Sequence, residues 1–358
     1  MMPNIINKRY YDEYFCNLCY KTANLHTLPV YIEHLTSWWA YLIDKKMPAI
    51  VFIPDYLTNG KDFSRWDNRV IEQLQQRHQP TIIATSVNNA HLDWNIDNLY
   101  FVHTGSDMLF QQIQYPQLTG TTDKDFEKPY HWTCLCRLPR DHRVIVLCTL
   151  LGLDIKQGYI SIGPHEFNNT CFDDWYYKPF DHNNSVIETL RIGWKKFVQT
   201  STFINTATYN VPPNHNALNF DLNLKHLYNH CAIEIITETT FFNHGQFVSE
   251  KYLNSVYGCN FPILIGNAGT VAYLRDNGFD MFDDVVDHSY DLEPDPILRI
   301  YSAMQKNLHL LANRDHAIQQ WYCCQERFAK NLKYARQEMY THFAHKFSHD
   351  LTNLLSEL

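Results

Sequence analysis

The chain has 358 residues, a formal net charge of −8 and 45% hydrophobic residues, and only 19% of its residues are charged. At roughly 150 residues per domain, this length predicts about two domains, each able to bury its own core. The composition excludes a disordered chain. The acidic balance argues against a general nucleic-acid-binding protein, which usually carries a basic face.

The apolar segments and the cysteines suggest the cellular setting. No apolar run reaches the length of about 18 residues that a membrane span needs, and the N-terminal segment lacks the apolar stretch of a secretory signal. Ten cysteines without such a signal predict reduced thiols in a cytoplasmic protein, in the host cytoplasm if the protein is viral. Cys134 and Cys136 lie in an apolar run and are predicted to be core thiols. No metal site is predicted, because the pair Cys16 and Cys19 has no second pair at zinc-binding spacing.

The first half of the chain alternates strands with helical segments. Three short apolar runs that end in polar turns predict strands, at 49–56, 80–86 and 98–104. A helix is predicted over 63–77, because Trp66, Val70 and Leu74 recur every four residues. Segment 116–129 contains proline, glycine and a charged run, and it is the predicted linker between domains.

The second half repeats this alternation. Apolar runs predict four more strands, at 131–137, 159–162, 231–237 and 261–266. Helices are predicted from a cap at Asp141, from a cap at Ser249 to Gly258, and from a cap at Thr270 to Gly278. Segment 163–228 carries no clear pattern, and the segment from about 296 to the C-terminus is predicted to be helical.

Strands that alternate with helices predict parallel α/β sheets. The expected organisation is an N-terminal α/β domain over 1–120, a second α/β domain over 126–300 and a helical segment over 301–358. In two-domain α/β proteins, ligands usually bind in the cleft between the domains, at the carboxyl ends of the strands. Side chains that bind or react with a ligand are therefore expected at those strand ends.

Three arginines follow the strand at 131–137 and precede the next helix. Arg137, Arg140 and Arg143 would oppose the dipole of that helix unless a negative group joins them. Arginine matches phosphate oxygens in bidentate fashion, so a pyrophosphate is the expected ligand. The alternative is a set of solvated surface arginines, some of them paired with acids such as Asp141.

A second group lies at and after the strand at 231–237. Lys251, next to Glu250 in the first turn of a predicted helix, opposes the helix dipole unless a phosphate binds there. The alternative is a lysine that extends into solvent. Glu238 follows the strand directly, where it could accept hydrogen bonds from sugar hydroxyls or pair with one of the arginines.

These residues carry a family resemblance. The stretch Ile236-Thr-Glu238, followed by Phe247-Val-Ser-Glu250-Lys251 and by Phe261-Pro-Ile-Leu-Ile-Gly266, resembles the donor-binding signature of α1,3-fucosyltransferases. The segment from Gly278 to Asp291 and the arginine cluster also resemble fucosyltransferase-like proteins of large viruses and phages. The resemblance covers roughly residues 131–162 and 231–300.

The resemblance implies a GT-B fold, in which two Rossmann-like domains face a cleft, with C-terminal helices. It also implies inverting, metal-independent transfer from a nucleotide-sugar donor to an acceptor hydroxyl of a glycan or another molecule. Glu238 falls on the glutamate of the family's FEN motif, and Glu250 and Lys251 fall on its TEK pair, which contacts ribose, sugar and phosphates. Arg140 and Arg143, with Arg137 beside them, fall on the basic segment that holds the pyrophosphate.

The sequence departs from the family pattern at two positions. Ser249 replaces threonine, and Thr239 stands where the family has asparagine. The sugar therefore stays open: a GDP-sugar is favoured, and a UDP- or ADP-sugar is an alternative.

Inverting transfer needs a base that takes the proton of the acceptor hydroxyl. The family places this base in the N-terminal domain at the end of a strand, and Asp107 is the predicted residue, with Glu238 as a second catalytic candidate. Asp55 and His103 are competitors, because each lies at the end of a predicted strand.

Several alternatives stay open at this stage. The acceptor could be a modified base of phage DNA, or the chain could be a non-catalytic GT-B-like binding or assembly protein. The aromatic residues could form a platform for sugars or simply fill the core. The stripe at Leu308, Leu311, Ile318 and Trp321 predicts a packing face, against the first domain or against a second copy.

Overall fold

The computed structural model describes residues 49–53, 81–85, 99–103, 128, 130–136, 140–155, 158–162, 172–175, 184–199, 225–238, 241 and 248–357. The predicted helix at 63–77 and most of segment 163–228 lie outside these residues. The chain divides into two compact units. The first contains Met1–Pro116, Phe242–Glu250 and Ala335–Leu358, and the second contains Gln117–Phe241 and Lys251–Tyr334. The first boundary falls at the start of the predicted linker, and the predicted segment 301–358 is divided between the two units.

The first unit contains a three-stranded parallel sheet. Its strands are β1 (Ala49–Ile53), β2 (Thr81–Thr85) and β3 (Leu99–His103), in the order β1-β2-β3. Ala49 pairs with Thr81, which in turn pairs with Leu99. All three strands lie within the segments predicted from their apolar runs.

The second unit contains a four-stranded parallel sheet, in the order β5-β4-β6-β7. Its strands are β4 (Tyr130–Cys136), β5 (Tyr159–Ile162), β6 (Cys231–Thr237) and β7 (Phe261–Ile265). Every residue of β6 and β7 is buried, as expected for parallel strands with both faces of the sheet covered. The prediction of parallel α/β sheets is thus confirmed for the described residues.

This strand order defines where a ligand would bind. The chain moves outward from β4 to β5 on one side of the sheet and from β6 to β7 on the other. The carboxyl ends of β4 and β6 therefore flank the topological switch point, which is the usual ligand position in open α/β sheets.

The helices of the described chain follow in order. They are α1 (Asp141–Gly152), α2 (Phe172–Trp175), α3 (Asn184–Gln199), α4 (Lys225–His230), α5 (Glu250–Gly258), α6 (Thr270–Asp276), α7 (Pro296–Lys306), α8 (Leu308–Leu311), α9 (Arg314–Cys323), α10 (Gln325–Lys333) and α11 (Met339–Glu357), with a π-helical turn at Tyr334–Glu338. The N-cap of α6 is Gly269, one residue before the predicted cap Thr270.

Helix α1 lies at the centre of the second unit. Ten consecutive residues, from His142 to Leu151, are buried, because α1 packs against α3 and α7 and shares one core cluster with strand residues of the sheet. Gly193 of α3 permits the close approach, since a Cβ at this position would lie 1.8 Å from the carbonyl oxygen of Cys148. Helix α3 lies in the segment that the sequence left unassigned.

The C-terminal apolar stripe packs inside the second unit. Leu311 and Trp321 are completely buried and belong to the same core cluster as strands β4 and β6. The indole Nε1 of Trp321 donates to the carbonyl of Cys259 at 2.7 Å. The two partners predicted for this stripe, the first domain and a second copy, are therefore wrong for these two side chains.

A buried lysine lies at the amino end of the second sheet. Lys128 is 2% exposed, and its Nζ donates to the carbonyl of Gly258, the last residue of α5, at 2.6 Å. The same ammonium lies 5.0 Å from the centre of the Trp321 ring. The positive charge thus faces the negative end of a helix dipole and the face of an aromatic ring.

Candidate functional site

Two predicted cations lie at the N-terminus of α1. Arg140 is the N-cap residue, and its carbonyl accepts from the backbone N–H groups of Arg143 and Val144 at 2.9 and 3.0 Å. No side chain caps this helix end; Asp141 is the first helical residue and is exposed, so its predicted role as cap is wrong. Arg143 is only 4% exposed, which contradicts a solvated surface position for this arginine.

Lys251 and Glu238 lie beside the end of β6. Lys251 is the second residue of α5 and is half-buried. Glu238 follows β6 directly; its backbone N–H donates to the carbonyl of Ile265 at 2.9 Å, and its side chain is completely buried. Glu250 is the first residue of α5, and its side chain lies outside the described part of the structure.

His142 connects the two strand ends. Its Nε2 lies 2.9 Å from the backbone carbonyl oxygen of Glu238. A carbonyl can only accept, so Nε2 carries the proton. The imidazole stacks on the ring of Phe241, with centroids 5.2 Å apart and planes 18° apart.

Three of the predicted cations act on the pKa of His142. Burial lowers this pKa to about 3, and the positive charges of Arg143, Arg140 and Lys251 add to this effect. The charges of three predicted phosphate-binding side chains therefore reach one buried imidazole. This ring is neutral at physiological pH.

A thiol pair lies at the carboxyl end of β4. The Sγ of Cys136 is 3.7 Å from the Sγ of Cys134 and 3.5 Å from the hydroxyl oxygen of Thr237. The hydrogen bond with Cys134 has the largest effect on the pKa of Cys136, and with Arg143 and Lys251 it lowers this pKa to about 7 despite burial. Both thiols are fully buried, which confirms the prediction of core thiols.

A second acidic side chain in β6 is affected by the charge of Lys251. Glu234 of β6 is 2% exposed, and burial raises the pKa of its carboxyl group well above the usual value. A hydrogen bond with Ser255 and the charge of Lys251 oppose this rise, and the charge of Glu238 adds to it. Burial and the charge of Glu238 thus both favour the neutral form of the Glu234 carboxyl group.

Arg299 fixes the segment that follows β6. Its Nε donates to the carbonyl of Gly266 at 3.1 Å, and its Nη2 donates to the carbonyl of Phe241 at 3.3 Å. The guanidinium carbon lies 4.8 Å from the centre of the Phe241 ring. Phe241 thus contacts both His142 and Arg299, and neither of these side chains was predicted from the sequence to have a role.

The remaining predicted residues are not defined at the level of side chains. Arg137, Asp107 and Asp55 lie outside the described residues, and His103 ends β3 with its backbone alone described. Within the described ranges, no group of three or more His, Cys, Asp or Glu side chains is arranged to hold a metal ion, and no helix is long and apolar enough to cross a membrane.

A separate acidic groove lies elsewhere in the second unit. Its volume is about 580 Å³, and its lining includes Asp283, Asp291 and Arg275. Asp283 pairs with Arg275 through contacts of 2.7 and 2.9 Å, and Asp291 accepts from the backbone N–H groups of Val271 and Ala272. Contacts within the protein therefore satisfy these carboxylates.

Comparison with models of protein families, with curated proteins and with solved structures finds no match to this chain.

Proposed function

We propose that this protein is a glycosyltransferase that moves a sugar from a nucleotide-diphosphate sugar to an acceptor hydroxyl. One observation carries the proposal: Arg140, Arg143 and Lys251 all act on the imidazole of His142, at the strand ends that flank the topological switch point. A diphosphate carries the opposite charge and the oxygen atoms that arginine and lysine side chains bind.

The cations have a chemical role beyond binding. When the bond between the sugar and the diphosphate breaks, negative charge builds up on the leaving phosphate. Fixed cations in a site that excludes water stabilise that charge with little reorganisation. The burial of Arg143 strengthens the attraction between its charge and the leaving phosphate, because the dielectric constant around a buried side chain is low.

The other roles follow from the family resemblance. Glu250 orients the ribose and the sugar, and Arg137 adds to the binding of the diphosphate. The expected contact of Glu238 with sugar hydroxyls is not part of the proposal, because the Glu238 side chain is completely buried. Asp107 is the proposed base that accepts the proton of the acceptor hydroxyl, with Asp55 and His103 as competitors. In the complete GT-B arrangement of this proposal, the acceptor enters from the N-terminal domain.

Isothermal calorimetry with GDP-, UDP- and ADP-sugars and with inorganic pyrophosphate tests the binding step. Each charge-assisted hydrogen bond contributes about 1.5 to 3 kcal/mol, so Lys251→Ala is expected to weaken binding about 10- to 100-fold. Lys195→Ala is the matched control, because Lys195 is exposed on α3. Arg143→Lys keeps the positive charge at a buried position. This variant is expected to bind the diphosphate more weakly, because a lysine cannot make the bidentate contact that an arginine makes with phosphate oxygens.

The binding measurements distinguish a glycosyltransferase from a non-catalytic binding protein. Unchanged affinity in both Lys251→Ala and Arg143→Lys, with folding verified by thermal unfolding, would refute the site. If a nucleotide sugar binds, its slow hydrolysis without acceptor supports catalysis. Binding without hydrolysis or transfer to glycans and to modified DNA would instead identify a non-catalytic binding protein.

A further inference from the structure

The exposed side of helix α11 carries two histidines one helical turn apart. Phe343, Phe347 and Leu351 of this helix are buried and recur every four residues. His345 and His349 each follow one of these phenylalanines by two residues, and two residues turn an α-helix by about 200°. The two histidines therefore lie on the side of α11 opposite its buried face, and both are exposed.

The spacing of His345 and His349 suits a shared metal ion. Residues four apart on a helix are neighbours on its surface, with Cβ atoms about 5 to 6 Å apart. Zn²⁺ binds imidazole nitrogens at about 2.0 to 2.1 Å, so two nitrogens on one tetrahedral ion lie about 3.3 Å apart. Two imidazole rings that lean towards each other from neighbouring Cβ atoms span this distance, and helical metal sites use this spacing of two histidines.

The ring of His349 presents an unprotonated nitrogen at the surface. The side-chain amide nitrogen of Asn353 lies 3.0 Å from Nε2 of His349. An amide nitrogen can only donate, so Nε2 carries the lone pair of this ring. Imidazole binds metal ions through such a lone pair, and Nε2 becomes available when the surface hydrogen bond with Asn353 is released.

A third histidine lies one turn before this pair. His342 is three residues before His345, so these two side chains are also neighbours on the helix. Burial lowers the pKa of His342, and the positive charge of Lys346 adds to this effect. The same charge would repel a metal cation bound at His342, which makes His345 and His349 the favoured pair.

We propose that His345 and His349 form a surface site for one divalent transition-metal ion, such as Zn²⁺ or Ni²⁺. Imidazole is a ligand that suits these ions. Because the described residues contain no group of three or more suitable side chains, water molecules fill the other positions around the ion. The ion links successive turns of α11 and stabilises this helix. The site does not depend on the proposed glycosyltransferase function.

Calorimetric titration of the full chain with Ni²⁺, without a histidine tag, tests this site. The chain has 19 histidines, so the variants measure any binding elsewhere. Loss of one of two linked ligands weakens binding about 100-fold or more, and this loss is expected for His345→Ala and for His349→Ala. His342→Ala leaves the pair intact and is expected to bind as tightly as the wild type.

Two double variants with the wild-type number of histidines test the spacing. His345→Ala with Asn353→His restores a pair four residues apart and is expected to recover Ni²⁺ binding. His345→Ala with Thr341→His places the new histidine eight residues from His349, where the two cannot share an ion, and is expected to bind as weakly as His345→Ala. Thr341 and Asn353 are both exposed, so neither substitution disturbs the buried face of α11.

Thermal unfolding gives a second measurement. A ligand that binds the folded state stabilises it, so Ni²⁺ is expected to raise the Tm of the wild type and of the variant with Asn353→His more than that of the variant with Thr341→His. Equal Tm values without Ni²⁺ verify that the variants fold. The proposal is overturned if the two double variants bind Ni²⁺ equally well, or if His349→Ala binds as tightly as the wild type.

Discussion

Acid should destabilise this protein through one histidine in particular. His142 is 3% exposed, and its neutral ring donates to the carbonyl of Glu238 beside three cations. The pKa of His142 is about 3 in the folded protein and about 6.5 in the unfolded chain. The folded state therefore binds fewer protons between these pH values, so its stability is complete above pH 6.5 and decreases as the pH falls towards 3.

The size of this loss follows from the two pKa values. One pKa unit corresponds to about 1.36 kcal/mol, and pH 5 lies 1.5 units below the pKa of the histidine in the unfolded chain. The free energy of unfolding is then about 2 kcal/mol lower at pH 5 than at pH 7, because the unfolded histidine is protonated while the folded ring is still neutral. The same reasoning gives an upper limit of about 5 kcal/mol at pH 3.

The assay is urea unfolding at pH 7 and pH 5, followed by tryptophan fluorescence, for the wild type and for His142→Gln. Glutamine cannot titrate in this range and retains an N–H donor. The free energy of unfolding of the wild type is expected to fall by about 2 kcal/mol more than that of the variant. His316→Gln, a substitution of a half-buried histidine on α9, is the control. Equal pH dependence of the wild type and His142→Gln would refute the reasoning.

Two further predictions concern the core of the second unit. Burial lowers the pKa of Lys128 to about 8, so the unfolded chain binds more protons than the folded protein between pH 8 and pH 10.5. The free energy of unfolding of the wild type, relative to that of Lys128→Met, is therefore expected to rise by about 3 kcal/mol across this range. Denaturant titrations measure this difference, and a difference that does not change with pH would contradict the role of Lys128. Gly193→Ala is expected to destabilise the protein by about 2 to 3 kcal/mol in thermal or urea unfolding, because its Cβ would meet the carbonyl oxygen of Cys148 at 1.8 Å. Ile192→Ala, at an exposed neighbouring position, is the control, and an equal loss of stability in the two variants would contradict this packing.

Features that depend on local pattern were predictable from the sequence. The apolar runs identified β4 and β6, because buried parallel strands are almost continuously apolar. Arg140 and Arg143 were noted because a helix N-terminus is a poor place for uncompensated positive charge. The apolar spacing of Val186, Leu190, Trp194 and Phe197 is a usable signal for α3, although Gly193 and the irregular flanking segment obscured it.

Features that depend on distant contacts were not predictable. The partner of His142 is a carbonyl 96 positions further along the chain, and Arg299 binds the carbonyl of Phe241 across 58 positions. Backbone carbonyls carry no sequence signature, so neither contact has a motif. The sequence also placed Glu238 at a strand end correctly, but it could not reveal that the side chain there is completely buried.

The burial of α1 has a consequence for dynamics. A helix with ten consecutive buried residues has no solvent-facing side from which it can fray, so its amide hydrogens exchange with solvent only when the surrounding core opens. Arg143 is mounted on the first turn of this helix. Arg143 is therefore attached to a backbone segment that opens only with the surrounding core, and its position should persist through smaller local openings of the protein.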